Sequence, residues 1–170
     1  MSLRDEPKNW YRDEFFLSTE QRLLQVDAIH EAMDSDVFWW TKAPPRTALL
    51  ETLQNSLCFG LYELPQSTSR IAGQGDPRQI GMMRVITDNV TFAYLTDVYV
   101  LPEYQGKGLG RWMLGCLGEV IKAWPHLRRI VLFTSGKSID LYKTTLGAND
   151  WVECKEGLVM GMIEGPAAMH

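Results

Sequence analysis

The residues best suited to chemistry lie in one short run, Gln105-Gly106-Lys107-Gly108-Leu109-Gly110-Arg111, between a strand-like segment and a helix-like one. Glycines at Gly106, Gly108 and Gly110 let the backbone turn sharply and approach a ligand closely, because no Cβ stands in the way. The first N–H groups of the following helix have no partner within it, and the helix dipole favours an anion there. Lys107 and Arg111 add positive charge to the same turn. In physical terms the segment is a pyrophosphate site.

Three phosphate-loop patterns compete for it. A Walker A loop needs Ser or Thr after Gly-Lys, and Gly106-Lys107 is followed by Gly108. A dinucleotide fingerprint, GxGxxG, places its third glycine one residue later than Gly110. The pattern Gln/Arg-x-x-Gly-x-Gly/Ala is met in full from Gln105 to Gly110. That run, with its lead-in Val98-Tyr99-Val100-Leu101-Pro102-Glu103-Tyr104, resembles the coenzyme-binding signature of the GCN5-related N-acetyltransferase (GNAT) superfamily. The likeness extends to Leu57-Cys58-Phe59-Gly60-Leu61-Tyr62, to Phe92–Val98 and to the segment around Leu141-Tyr142.

The resemblance implies a GNAT fold of the α/β class. Its sheet would be mixed and mostly antiparallel, with about seven strands, helices on both faces and a splayed strand pair. It also implies acetyl-CoA as cosubstrate and no metal. The backbone of Val98 and Val100 would hold the pantetheine arm and acetyl carbonyl, as a peptide adds to a sheet edge. The N–H groups of Gln105, Gly106, Lys107, Gly108, Leu109, Gly110 and Arg111 would hold the pyrophosphate. The family's usual small or Asn-type residue before the next helix is replaced here by Ser135-Gly136-Lys137-Ser138, in which Ser138 can serve as helix N-cap and coenzyme contact. A neutral amine would attack the thioester directly, through a tetrahedral intermediate. Tyr142 matches the family tyrosine that serves the departing sulfur as acid. Asp97, beside the coenzyme strand, is the first choice of base, although a water chain could serve instead. Tyr94 lies three residues away, an odd spacing that on a regular strand puts the two on opposite faces. The family pattern Tyr-x-x-x-Gly-Phe departs here to Tyr142-Lys143-Thr144-Thr145-Leu146-Gly147-Ala148, one residue longer and without Phe. A non-catalytic acyl-CoA-binding module is the competing reading. The acceptor reads as a small-molecule amine more readily than a protein lysine, and dimers are frequent in the family.

The elements that must position these groups follow from pattern. Residues 1–13 read as a polar, partly ordered lead-in to a single domain over 14–170. Glu14–Leu17 is strand-like, and Ser18-Thr19-Glu20-Gln21 is a capping-box pattern that predicts a helix to about Ser35. Phe38-Trp39-Trp40 falls in a loop between the first two helices. The resemblance implies that this region lines the acceptor pocket, where the rings would suit an apolar or cationic amine; the alternative is that they cap the core. A second helix is expected up to Ser56, then strands at 57–64, 79–87 and 91–101, with a hairpin loop over Pro65–Arg78 and a turn at Asp88-Asn89. The stripe Leu109, Met113, Cys116, Leu117, Val120 and Ile121 predicts the helix after the turn. Ile130–Phe133 reads as a buried strand, Ser138–Leu146 as a helix, and 151–154 with 158–163 as a closing strand pair.

Composition bounds the rest. The 170 residues carry a net charge of −4, so no global basic field points to nucleic acid or anionic lipid. The charged N-terminus is unlike a secretory signal, no apolar run approaches bilayer length, and Cys58, Cys116 and Cys154 read as buried thiols in a reducing, cytoplasmic setting. His30, His126 and His170 show no metal-ligand spacing around them.

Overall fold

A computed structural model describes residues 6–65 and 76–168. Eight strands form one sheet in the order β1-β2-β3-β4-β5-β6-β8-β7. They are β1 (Asn9–Arg12), β2 (Phe15–Ser18), β3 (Leu57–Glu63), β4 (Arg78–Thr87), β5 (Phe92–Val100), β6 (Arg129–Ser135), β7 (Asn149–Glu153) and β8 (Leu158–Glu164). All neighbours are antiparallel except β5 and β6. The strand beyond the expected seven is β1, a four-residue edge strand paired with β2. The expected hairpin loop lies, at 66–75, outside the described residues.

Helices α1 (Val26–Asp34) and α2 (Arg46–Gln54) cover one face of the sheet, and α3 (Leu109–Lys122) and α4 (Ile139–Leu146) the other. The α3 stripe is buried as expected against Leu61, Val85, Leu95 and Leu132. On the opposite face Ile29, Met33, Leu49 and Leu53 close over Cys58, Met82 and Tyr99. The capping-box helix begins later than expected. Ser18 Oγ accepts from the Glu20 N–H in a local turn, a 3-10 turn fills Gln21–Leu23, and α1 starts at Val26 without a side-chain cap. A hydroxyl that bonds its own neighbouring backbone competes with helix formation. Cys58 and Cys116 are buried, but Cys154 is exposed where the chain turns from β7 to β8.

Two irregularities of β5 determine where a ligand can reach the sheet. Only Phe92–Leu95 pairs with β6, so from Thr96 to Val100 the two strands part. On the other edge, Arg84 and Met82 of β4 oppose Thr96 and Tyr99, leaving Asp97 and Val98 against the single residue Met83. This β-bulge carries Asp97 at φ 49°, a left-handed conformation that Asp tolerates better than most residues.

Candidate active site

The bulge reverses the alternation of β5. Ala93 and Leu95 pack toward α3 before it, and Val98 and Val100 do so after it, while Tyr99 faces α1 and α2. Tyr94 and Asp97 therefore share a face, against the opposite-face expectation for a regular strand. Both line a cavity of about 420 Å3 that opens where β5 and β6 part. Val98, Ser138 and Tyr142 reach it from the α3–α4 side, and Trp39, Trp40 and Phe133 from the other. The gap in the sheet joins the two faces of the protein at one point.

The edge of β5 beside that gap pairs with no strand among the described residues. Leu101 N–H donates to the Ile80 carbonyl at 2.8 Å, so Tyr99 also turns its backbone toward β4. By alternation the N–H and C=O groups of Val98 and Val100 point into the gap. The Val100 carbonyl accepts there from Gln105 Nε2 at 2.9 Å. The Gln105 side chain thus guards the strand edge, and its backbone begins the glycine turn.

Gly106 at φ 81° and Gly108 at φ 73° make that turn, and Gly108 is the N-cap residue of α3. Among the described residues, none of the consecutive N–H groups from Gly106 to Arg111 donates to a protein acceptor; Trp112 N–H, bonded to the Gly108 carbonyl, is the first that does. The carbonyls turn the other way, toward Arg12 on β1, whose Nη2 and Nη1 donate to the oxygens of Lys107 and Gly108, both at 3.2 Å. Trp10 Nε1 donates to Glu119 of α3 at 2.9 Å and ties the same strand down. Leu109 buries its side chain in the core, which anchors the helix start. A Cβ added at Gly106 or Gly110 would meet nothing within 4 Å, so both positions face open space.

The side chains of the turn's two cations, Lys107 and Arg111, lean on neighbouring elements. Lys107 Nζ sits 5.4 Å from the ring centres of both Phe15 and Tyr104. Arg111 reaches across to donate to Thr144 Oγ1 of α4 at 3.1 Å. Free N–H groups and the helix dipole, more than these two side chains, make the turn attractive to an anion.

Tyr142 is buried on α4, and burial pushes its hydroxyl up to about 12, with a hydrogen bond from the Thr134 side chain acting in the opposite sense. The residue inserted after it lengthens α4 to Leu146, and Gly147 at φ 71° then caps the helix. Ser138 is the N-cap residue but makes no cap bond; its Oγ lies 3.3 Å from Ser135 Oγ. Asp97 is buried, with Oδ2 bound by Arg84 Nε at 2.6 Å and Oδ1 3.3 Å from Thr96 Oγ1. Arg84 also donates to Ser56 Oγ at 3.1 Å. Phe38 belongs to the core, edge-on to Tyr99 at 5.0 Å, whereas Trp39 and Trp40 line the cavity. Phe133, expected inside the sheet, is exposed there because no described helix covers that face of β6. His30 bonds the Pro44 carbonyl at 3.1 Å and fixes the loop after α1. No group of His, Cys, Asp and Glu suited to a metal occurs among the described residues. No described helix is long and apolar enough to cross a membrane.

Sequence reasoning missed Arg12 and Arg84. Neither lies in a motif, and each acts on a partner far along the chain. A parted strand pair, a bulge and a glycine turn opening a helix have the shape and polarity to suit an extended ligand with an anionic end.

Comparison with known proteins agrees. The model of the acetyltransferase (GNAT) family matches residues 8–148, and the chain belongs to that family. It is 46% identical over 175 residues, 97% of either chain, to FG08082 of Gibberella zeae, whose name assigns it provisionally to the acetyltransferases. A thialysine N-epsilon-acetyltransferase of Sus scrofa is 43% identical over 76 residues, 44% of each chain. A GNAT-family crystal structure from Xanthomonas campestris is 33% identical, with a TM-score of 0.57 over 76% of this chain and 81% of that one. The fold also matches spermidine N-acetyltransferase of Vibrio cholerae, solved with CoA and spermine, at TM-score 0.63 and 16% identity over 91% and 97% of the chains.

Proposed function

We propose that this acetyltransferase moves an acetyl group from acetyl-CoA to a small primary alkylamine. The observation that carries the reading is the unpaired run of N–H groups from Gly106 to Arg111 beside the edge of β5 from which β6 has parted. A pyrophosphate at the turn would leave the pantetheine to run along Val100 and Val98 toward the cavity, with the thioester near Tyr142. Charge-assisted bonds to phosphate oxygens are among the stronger hydrogen bonds a protein makes.

The amine enters from the Trp39–Trp40 side and attacks the thioester carbon. The C–N bond forms, the carbonyl oxygen becomes an oxyanion, and its collapse breaks the C–S bond. The departing thiolate is the conjugate base of a thiol, and thiols are more acidic than a phenol at about 12 (a cysteine thiol ionises at about 8.5). Complete proton transfer from a phenol at about 12 would be uphill, so Tyr142 serves the sulfur by donating a hydrogen bond. The thiolate then takes its proton from solvent. The proton lost by nitrogen leaves through water toward Asp97 Oδ1, the oxygen that Arg84 does not hold.

A small acceptor is supported by the size of the cavity and by the acceptors named for relatives, thialysine and spermidine. Steady-state release of CoA thiol with a panel of alkyl diamines and amino acids bearing a terminal amine tests this. Saturable turnover with at least one is expected. Acetyl-CoA binding without turnover on any amine would replace the enzyme with a non-catalytic coenzyme-binding module.

A further inference from the structure

Three of the rings around the cavity are unusually open for their size: Trp39 is 55% exposed, Trp40 39% and Phe133 44%. With Tyr94 they line one space, although they come from three separate segments. Tyr94 and Phe133 are there because Ala93, Leu95, Ile130 and Leu132 take the α3 face of the same strands. The α1–α2 layer stops over Cys58, Met82 and Tyr99, and the Trp39–Trp40 loop overhangs the uncovered part.

The rings meet edge to face, Trp39 with Trp40 at 5.7 Å and 81°, Tyr94 with Phe133 at 5.8 Å and 88°. Ring faces carry the negative end of the quadrupole. Phe38, 4.8 Å from Trp40 at 37°, covers one face of that ring and leaves the other for the cavity. Among the described residues, Asp97 is the one carboxylate lining the cavity, and Arg84 already neutralises it at 2.6 Å. No other charged side chain of the described residues lines it. The electronegative surface left to meet an incoming amine is aromatic, supplemented by the hydroxyls of Thr96, Thr134, Ser135 and Ser138.

We infer that Trp39, Trp40, Tyr94 and Phe133 form an aromatic cage that receives the acceptor as an alkylammonium ion by cation–π attraction. The inference rests on the transferase reading and specifies how its acceptor is recognised. It selects amines that are cationic in water over neutral or purely apolar ones of the same shape. The attraction is lost when nitrogen gives up its proton, so it stabilises the bound ground state alone: the cage lowers KM and kcat together and leaves kcat/KM nearly unchanged.

Choline and 3,3-dimethyl-1-butanol test it directly, because they match in shape and differ in charge. Their affinities for the protein with and without CoA are measured by calorimetry, with acetyl-CoA thermal shifts recorded in parallel. Choline is expected to bind about tenfold tighter than the alcohol. Trp39→Leu and Phe133→Leu, at exposed positions that do not threaten folding, should together erase the preference, while Trp39→Phe keeps most of it. Equal or tighter binding of the alcohol would overturn the cage and leave an apolar slot. Binding of neither probe, with the acetyl-CoA shift intact, would overturn the cage alone. A choline preference without any acetyl-CoA shift would support the cage as a cation site and sink the transferase reading instead.

Discussion

Gly108→Ala separates the two demands made on the glycine turn. Gly108 holds φ 73° at the start of α3, a region where an L-residue costs roughly 1–2 kcal/mol. The added Cβ would sit 3.6 Å from Arg12 Nη1 and Nη2, an ordinary contact, so the penalty is one of backbone conformation and not of collision. For a chain of this length each kcal/mol moves Tm by about 2–4 °C, giving an expected fall of roughly 2–8 °C in the free protein. Relaxing φ also swings the adjoining N–H groups away from a bound pyrophosphate. Losing one charge-assisted bond, worth about 1.5–3 kcal/mol, weakens acetyl-CoA by roughly 10- to 150-fold. Gly110→Ala is the control with the opposite sign. Gly110 lies in α3 with open space at its Cβ position, so alanine should stabilise by up to about 1 kcal/mol and leave the coenzyme bound. The assay is thermal unfolding with and without acetyl-CoA. At ~100 times its dissociation constant the coenzyme adds about 2.7 kcal/mol to the wild type. A coenzyme-induced shift that survives Gly108→Ala undiminished would refute the claim that this turn grips the coenzyme. Equal losses in Gly108→Ala and Gly110→Ala would refute the geometry on which it rests.

Arg12→Gln removes the guanidinium that holds the carbonyls of Lys107 and Gly108. It should raise KM for acetyl-CoA several-fold with kcat nearly unchanged, partly restored by Arg12→Lys, whereas a KM equal to wild type would show that β1 does not position the turn. Tyr142→Phe should lower kcat by roughly 10- to 150-fold, the loss of one hydrogen bond to a developing charge, with the coenzyme dissociation constant preserved; an unchanged kcat would remove Tyr142 from the mechanism. The same tyrosine makes stability pH-dependent on the alkaline side. An unfolded tyrosine ionises near 10 while Tyr142 keeps its proton to about 12, so its contribution is complete below pH ~10 and is lost as pH rises through about 12. Urea midpoints at pH 9 to 12 should fall less steeply in Tyr142→Phe than in wild type. Arg84→Gln leaves Asp97 buried without its ion-pair partner and should destabilise by about 3–5 kcal/mol, read from urea unfolding; a loss below about 1 kcal/mol would show that the pair is not sealed from water.

Much of this molecule was legible in the chain because its signals are local. The glycine spacing from Gly106 to Gly110, the stripe from Leu109 to Ile121 and the apolar runs of the central strands each need only nearby residues to be recognised. They identified the glycine turn, its helix and the family. A four-residue strand with half its side chains exposed carries no such period, and Asn9–Arg12 became a strand only through its pairing with β2. The capping pattern at Ser18 misled for a related reason, since a hydroxyl beside a free N–H serves a turn as well as a helix. Tertiary structure alone decided the site's handedness. The bulge at Asp97 depends on how β4 and β5 align over many residues, and it reversed the faces that simple alternation assigns to Tyr94 and Asp97. Arg84, Arg12 and Phe133 acquired their places in the same way, from partners or open space set by strands distant in sequence. A segment's own residues set its period; which side of that segment meets the substrate depends on register between segments, and a single bulged residue is enough to invert it.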